Sequence, residues 1–183
     1  IGCPDQLGNY AATLAARCGV AVICPAYRLA PENPFPAGVA DGWSVLAALV
    51  AANGGPLFIS GDSAGGGLAA GIAALAGQHG LKLAGLVLLS PWLDLSVTNP
   101  SCALSSVRPG CRVTVIEAEG SAWRRGPHRL NAELQAAGIP CRLHCVDDML
   151  HVAVTRELNA TGATETLDAM TDFILAALAE KLR

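Results

Sequence analysis

The sequence is poor in aromatic residues, poor in charge and without any basic surplus. Only 4% of its 183 residues are aromatic, 15% are charged, and the formal net charge is −3. Without a basic footprint there is nothing to hold a polyanion, so nucleic acid is excluded as an expected partner. The seven cysteines, Cys3, Cys18, Cys24, Cys102, Cys111, Cys141 and Cys145, include no C-x-x-C pair. Their number is odd and several sit in apolar runs, where a thiol behaves as a small hydrophobe. Reduced thiols in a cytoplasm-like compartment are therefore expected. Cys141, His144 and Cys145 do not read as a metal site, because on a strand the two cysteines share one face and the histidine points to the other. No metal or other cofactor is expected. The charge-free run 63–81 is broken by glycines and carries Gln78 and His79, so it reads as a buried helix plus turn rather than a membrane span. The chain opens on Ile1 rather than methionine, which suggests a fragment or a processed product.

What the sequence does have is small and aliphatic: 52% hydrophobic residues and 20 glycines, a composition suited to helices packed closely on a sheet. The length is that of one domain, enough for a core. A helix is expected over 6–18, with Asp5 as N-cap and Gly19 as stop. Val20-Ala21-Val22-Ile23-Cys24 is a continuous apolar run typical of a strand buried on both faces. Residues 27–36 form a proline-rich loop that excludes helix and strand. Helix is expected over 37–52, strand over 83–90, an irregular stretch over 97–110, strand over 113–116, helix over 128–137 and strand over 142–146. A last amphipathic helix over 165–182 carries Leu167, Met170, Ile174, Leu178 and Leu182 on one stripe. Alternating strands and helices predict an α/β fold with a mostly parallel sheet and helices on both faces.

The stretch with the most chemical content is Leu57-Phe58-Ile59-Ser60-Gly61-Asp62-Ser63-Ala64-Gly65-Gly66. An apolar strand ends at Ser60, a G-x-S-x-G turn follows, and Leu68 to Leu75 continues as helix. A serine at the tip of so tight a turn needs a strained backbone, and Gly61 and Gly65 have no Cβ to clash there. The turn lifts the Ser63 hydroxyl above the sheet edge and puts it at a helix start, where free N–H groups favour developing negative charge. The Ala64 N–H is then one oxyanion donor. The stretch Gly65-Gly66-Gly67-Leu68-Ala69-Ala70 also fits the dinucleotide pattern G-x-G-x-x-A. That pattern begins inside the expected helix, however, and the first acidic residue beyond it, Asp94, follows another strand. Ser63, Glu119 and His151 each leave the C-terminal end of a strand, the edge at which open parallel sheets bind ligands. They occur in the order serine, acid, histidine.

With these residues in place, the chain resembles the hormone-sensitive-lipase-like branch of the α/β-hydrolases, which includes bacterial and fungal carboxylesterases. The resemblance covers most of the chain. It is carried by Gly61-Asp62-Ser63-Ala64-Gly65-Gly66, by Tyr27-Arg28-Leu29-Ala30-Pro31-Glu32 with Pro34-Phe35-Pro36, by Ser90-Pro91-Trp92-Leu93-Asp94-Leu95, and by Asp147-Asp148-Met149-Leu150-His151. It implies Ser63 as nucleophile, His151 as base, and an acid in the loop after 113–116. Glu119 is our choice, with Glu117 as an alternative and an alignment of Gly120-Ser121 with the usual acid also open. The resemblance further implies that Arg28 and Glu32 pair across the proline-rich loop. Asp62 is expected to support the turn by hydrogen bonding, Asp147 and Asp148 to shape the histidine loop, and Trp92 to lie in the core.

Two departures matter. Residues 1–183 contain no His-Gly-Gly-Gly stretch, which in the family supplies the remaining oxyanion donors, and the chain passes almost directly from Ser96 to Val113. The expectation is a single domain over 1–183 with a partial α/β-hydrolase fold of about five strands. It lacks the N-terminal cap, the strand before the oxyanion loop and a mid-chain insert. The family's missing strand lies between those equivalent to 20–24 and 57–60, so those two either pair directly, Val22 beside Phe58, or leave the fragment poorly folded. The implied reaction is hydrolysis of a small-molecule carboxylic ester through an acyl-serine, weak in residues 1–183 themselves. A non-catalytic binding protein, as in the related plant hormone receptors, is the main alternative, followed by a degenerate homologue. The receptors typically lack the histidine, so the presence of both Ser63 and His151 favours an enzyme.

Overall fold

The structure, a computed structural model, describes residues 4–52, 55–93, 112–118, 125–147 and 149–181. In chain order the elements are helix α1 (Gly8–Cys18), α2 (Ala37–Ala52), strand β1 (Phe58–Asp62), α3 (Ser63–Gln78), β2 (Gly85–Leu89), β3 (Arg112–Ala118), α4 (Arg125–Ala136), β4 (Cys141–Val146) and α5 (Ala163–Lys181). The four strands form one parallel sheet in the order β1-β2-β3-β4.

The period of two along the strands divides the core into two layers. Val87, Leu89 and Ile116 face α1 and α5, packing with Tyr10, Leu14, Leu167, Met170, Phe173 and Ile174. Leu86, Leu88, Val113 and Val115 face the other way, onto Leu46 of α2, Ala69 and Ala73 of α3, and Leu130 and Leu134 of α4. This double burial explains the unbroken apolar run Gly85-Leu86-Val87-Leu88-Leu89, every residue of which is buried. Each large aliphatic side chain so buried contributes roughly 1.5–3 kcal/mol. On α5, Leu167, Met170 and Ile174 form the buried stripe that the spacing predicts, and Leu178 packs against its edge. Among the described residues no helix is long and apolar enough to cross a membrane.

The first helix departs from expectation at its start but not at its end. Pro4–Leu7 form a 3-10 turn that runs straight into α1, so Leu7 rather than Asp5 stands at the helix start, without a side-chain cap. The tighter i→i+3 bonding of that turn takes the place of a capping carboxylate. Gly19 ends the helix in the left-handed region at φ 65°, its N–H donating to the Ala15 carbonyl.

Residues 20–24 are not a strand. They run outside the sheet, with Val20 and Val22 against the core and Ile23 54% exposed. The ladder between Val22 and Phe58 does not form, and among the described residues β1 is bonded to β2 alone. A β-favouring sequence becomes a strand only where a neighbour offers a register, and nothing among the described residues pairs with this one. The described sheet therefore has four strands rather than about five, and β1 is its edge, with Ser60 exposed. The irregular stretch expected over 97–110 lies outside the described residues.

Arg28 anchors the proline-rich loop, and its partner is Asp41 on α2 rather than Glu32. Its backbone N–H donates to Asp41 Oδ2 at 2.8 Å, Nε to the same oxygen at 2.9 Å and Nη2 to Oδ1 at 2.7 Å. One carboxylate thus satisfies the main chain and the guanidinium fork of a single residue, which Glu32 on the exposed side of the loop does not. These hydrogen bonds hold the Asp41 carboxyl at about 2, below its usual 3.8. Because the folded value is the lower one, the pair stabilises above the unfolded value and is lost as pH falls through the folded one. Thermal melts of wild type and Asp41→Asn should differ at pH 6, with wild type the more stable, and the gap should close between about pH 4 and pH 2.

Candidate active site

Strand β1 ends at Asp62, whose backbone is still extended (φ −115°, ψ 142°), and α3 begins at the next residue. The whole change of direction falls on Ser63, which sits at φ 50°. Such a value is uncommon for any residue with a Cβ and costs of order 1–3 kcal/mol, so the surroundings must enforce it. Part of that enforcement is steric. A Cβ on Gly61 would collide with the Gly65 carbonyl, and one on Gly67 with the Trp92 carbonyl. One on Gly66 would lie 2.7 Å from Pro91 Cβ. Gly65, the second glycine of G-x-S-x-G, would meet only Asp62 Oδ1, at an ordinary 3.6 Å. The close approach therefore rests on Gly61, the first glycine of the motif, and on Gly66 and Gly67 beyond it, and not on Gly65.

The segment after β2 braces the turn from the other side. Ser90 lies at φ 40°, and the Trp92 N–H donates to the Ser63 carbonyl at 2.8 Å. Trp92 itself is 39% exposed, which corrects its expected place in the core. Its main chain makes the contact for which Gly67 leaves room, and its ring stays near the surface. No sequence pattern signalled this contact, because it joins the start of α3 to the loop that leaves the next strand.

His151 comes from the C-terminal end of β4. Its Nε2 lies 3.0 Å from Ser63 Oγ, across 88 residues of chain. With Nε2 as acceptor, the serine hydroxyl donates. Met149 and Val152, on either side, are buried, while Leu150 is 76% exposed and His151 is exposed. The other three histidines are elsewhere. His79 caps the end of α3 with its ring 4.8 Å from that of Trp43, His128 is exposed on α4, and His144 Nε2 lies 3.0 Å from Glu165.

Ala64, the second residue of α3, carries one of the helix's first N–H groups, which have no acceptor within the helix. Glu119, the expected acid, lies outside the described residues, as do Asp148 and the side chain of Glu117. The backbone up to that point is ordered by the sheet: Ala118 at the end of β3 pairs with Val146 at the end of β4, beside the strand end from which the histidine loop departs. Asp147 is described and exposed. The glycines of the G-x-G-x-x-A pattern fall within α3, not in the turn where a dinucleotide site needs them.

Three of the described thiols, Cys18, Cys24 and Cys141, are made poorer nucleophiles by burial. Cys18, Cys24, Cys141 and Cys145 are all unbridged. Burial pushes the thiols of Cys18 and Cys24 up, and that of Cys141 to about 12.

The chain is similar to known proteins along the same lines. A sequence-family profile described as alpha/beta hydrolase fold matches residues 1–111. An esterase of Acinetobacter venetianus is 41% identical over 91 residues, which cover 48% of this chain and 30% of that protein. The gibberellin receptor GID1A of Arabidopsis thaliana is 36% identical over 86 residues, covering 43% of this chain and 25% of the receptor. The matched part thus spans about a third or less of the length of these curated relatives. Among solved structures, an esterase from the bacterial hormone-sensitive lipase family superposes with a TM-score of 0.81 at 26% identity. The match covers 90% of this chain and 68% of that one.

The two motif glycines should respond differently to a methyl group. Gly61→Ala forces a backbone clash and should cost about 1–3 kcal/mol in urea melts. Gly65→Ala, in open contact at the start of a helix, should be neutral or stabilising by up to about 1 kcal/mol.

Proposed function

The chain belongs to the α/β-hydrolases, in their hormone-sensitive-lipase-like branch, and from that membership we propose that Ser63 and His151 carry out the hydrolysis of a carboxylic ester. The observation that carries the reading is the 3.0 Å separation of His151 Nε2 from Ser63 Oγ. A serine hydroxyl is a poor nucleophile alone and becomes one when a base lies within hydrogen-bond reach. His151 takes the proton as Ser63 Oγ attacks the acyl carbonyl, and returns it to the departing alcohol. The acyl-serine that results is cleaved by a water that His151 deprotonates. Glu119 is the proposed acid that fixes the imidazole tautomer and steadies its positive charge.

The Ala64 N–H, at the positive end of α3, is the proposed oxyanion donor. Each such donor is worth roughly 2.7–4 kcal/mol, or about 10²–10³ in rate. Residues 1–183 contain no His-Gly-Gly-Gly loop to add to it. The polypeptide 1–183 is therefore expected to turn over esters weakly or not at all. We read it as one domain, whose substrate is a small-molecule ester.

The similarity to a gibberellin receptor keeps a binding role as the second reading. The two separate on Ser63. A fluorophosphonate probe should label the wild-type chain at Ser63, leave Ser63→Ala unlabelled and react about 10²–10⁴-fold more slowly with His151→Asn. Hydrolysis of short p-nitrophenyl esters by residues 1–183 should be weak and Ser63-dependent. Robust turnover would refute the importance given to the missing loop. Absence of any Ser63-dependent labelling would refute the hydrolase reading and leave the binding role.

A further inference from the structure

Thr155 lies in the 3-10 turn Ala153–Thr155, four residues beyond His151. It is 5% exposed, in the buried stretch Val152-Ala153-Val154-Thr155. Its three neighbours are apolar, and a valine would fill the same volume. A buried hydroxyl costs free energy unless it is hydrogen-bonded, so the partners of this one are informative. They lie on two different elements. Thr155 Oγ1 is 2.9 Å from the Val152 carbonyl, in the histidine loop, and 3.3 Å from Asp62 Oδ2, at the end of β1. The single hydroxyl proton is shared between these acceptors. Asp62 immediately precedes Ser63, and Val152 immediately follows His151.

We propose that Thr155 is a positioning residue: its hydroxyl ties the loop carrying His151 to the strand end carrying Ser63, and so sets the distance between imidazole and nucleophile. This deepens the hydrolase reading and rests on it for its catalytic consequence, though not for the geometry. Three further observations support it. Val152 sits at φ 49°, a left-handed conformation that a β-branched residue adopts only when its surroundings impose it. The Thr155 N–H donates to the same Val152 carbonyl at 3.1 Å, so that carbonyl is held twice by one residue. Finally, the Asp62 side chain makes no capping bond to α3, although it stands at the N-cap position. Its carboxylate is left for the histidine loop, while Tyr10 of α1 lies near enough to feel its charge.

The test uses the whole chain and two readouts. The first is the rate of fluorophosphonate labelling at Ser63. The second does not depend on reactivity. It is the ring resonance of His151 in NMR spectra, assigned by its loss in His151→Asn and compared with and without the serine hydroxyl, which Ser63→Ala removes. In the wild-type background Ser63→Ala should shift that resonance. In a Thr155→Val background the shift should vanish and labelling should fall by up to about 10²-fold, the cost of a displacement near 1 Å. Thr155→Ser, which keeps the hydroxyl, should retain both. Asp62→Ala breaks the tie from its other end and serves if Thr155→Val does not fold. It should reproduce the loss, and adding Thr155→Val to it should cost little more.

Unchanged coupling and labelling in Thr155→Val would overturn the proposal. Equal losses in Thr155→Val and Thr155→Ser would also overturn it, because the methyl packing rather than the hydroxyl would then be responsible. If no variant, wild type included, is labelled while the His151 resonance behaves as described, the tie stands and the hydrolase reading fails.

Discussion

The turn at Ser63 is the constraint on which the rest of the site depends. A strand passes into a helix with no connecting residue, and one backbone carries the whole reversal. That is tolerable only because the opposing surfaces come closer than side chains allow. Gly61 meets the main chain of Gly65, and Gly66 and Gly67 meet Pro91 and Trp92. The contacts are mostly between backbones, so they are stiff, and the serine hydroxyl inherits that stiffness. The parallel sheet then does the second part. Registering β2, β3 and β4 beside β1 brings every strand's C-terminal end to one edge, and the histidine loop with it.

How far this was legible in the sequence depended on how local each signal was. The helix over 37–52 and the start of α3 at Ser63 follow from composition, punctuation and the G-x-S-x-G spacing, and they match the observed bounds. Gly19 as a helix stop rests on its freedom to adopt positive φ, and that is how it is used. Residues 20–24 show the limit. Their apolar run signals a segment that buries both faces, but a strand is a relation between two segments, and the run says nothing about whether a partner is present. The same limit explains the Arg28 contact. The family resemblance implied Glu32 as the partner, whereas the fold of the loop onto α2 brings Asp41, thirteen residues away, to the guanidinium.

The candidate site divides along the same line. Ser63 and His151 were identifiable because each follows a strand in a recognisable pattern, and their side chains meet at 3.0 Å. The residues that brace them carry no pattern at all. Trp92 acts through its main-chain N–H, and Thr155 is a threonine in an apolar stretch that reads as core. Groups that act through the backbone, or through a contact spanning 93 residues, leave no periodic trace. Glu119 was chosen by its place after a strand, and the described residues reach as far as that strand's last residue.

Among the described residues three non-glycine positions have positive φ, and all three flank the same edge of the sheet: Ser63 after β1, Ser90 after β2 and Val152 beyond β4. Each costs of order 1–3 kcal/mol against a total stability of about 5–15 kcal/mol, so their clustering is expensive for a small domain. Each is also held by a hydrogen bond at its own main chain. Ser90 donates its N–H to Ile116, Ser63 accepts from Trp92, and Val152 accepts from Thr155. The partners come from a different strand, a different loop and the histidine's own turn, so no two of the three strains are relieved by the same element. A serine and a histidine 88 residues apart cannot be kept at hydrogen-bond distance by local preference. They are kept there by turns that are each held at the main chain by a separate hydrogen bond, and the contact of Thr155 with Asp62 joins the histidine's turn to the serine's.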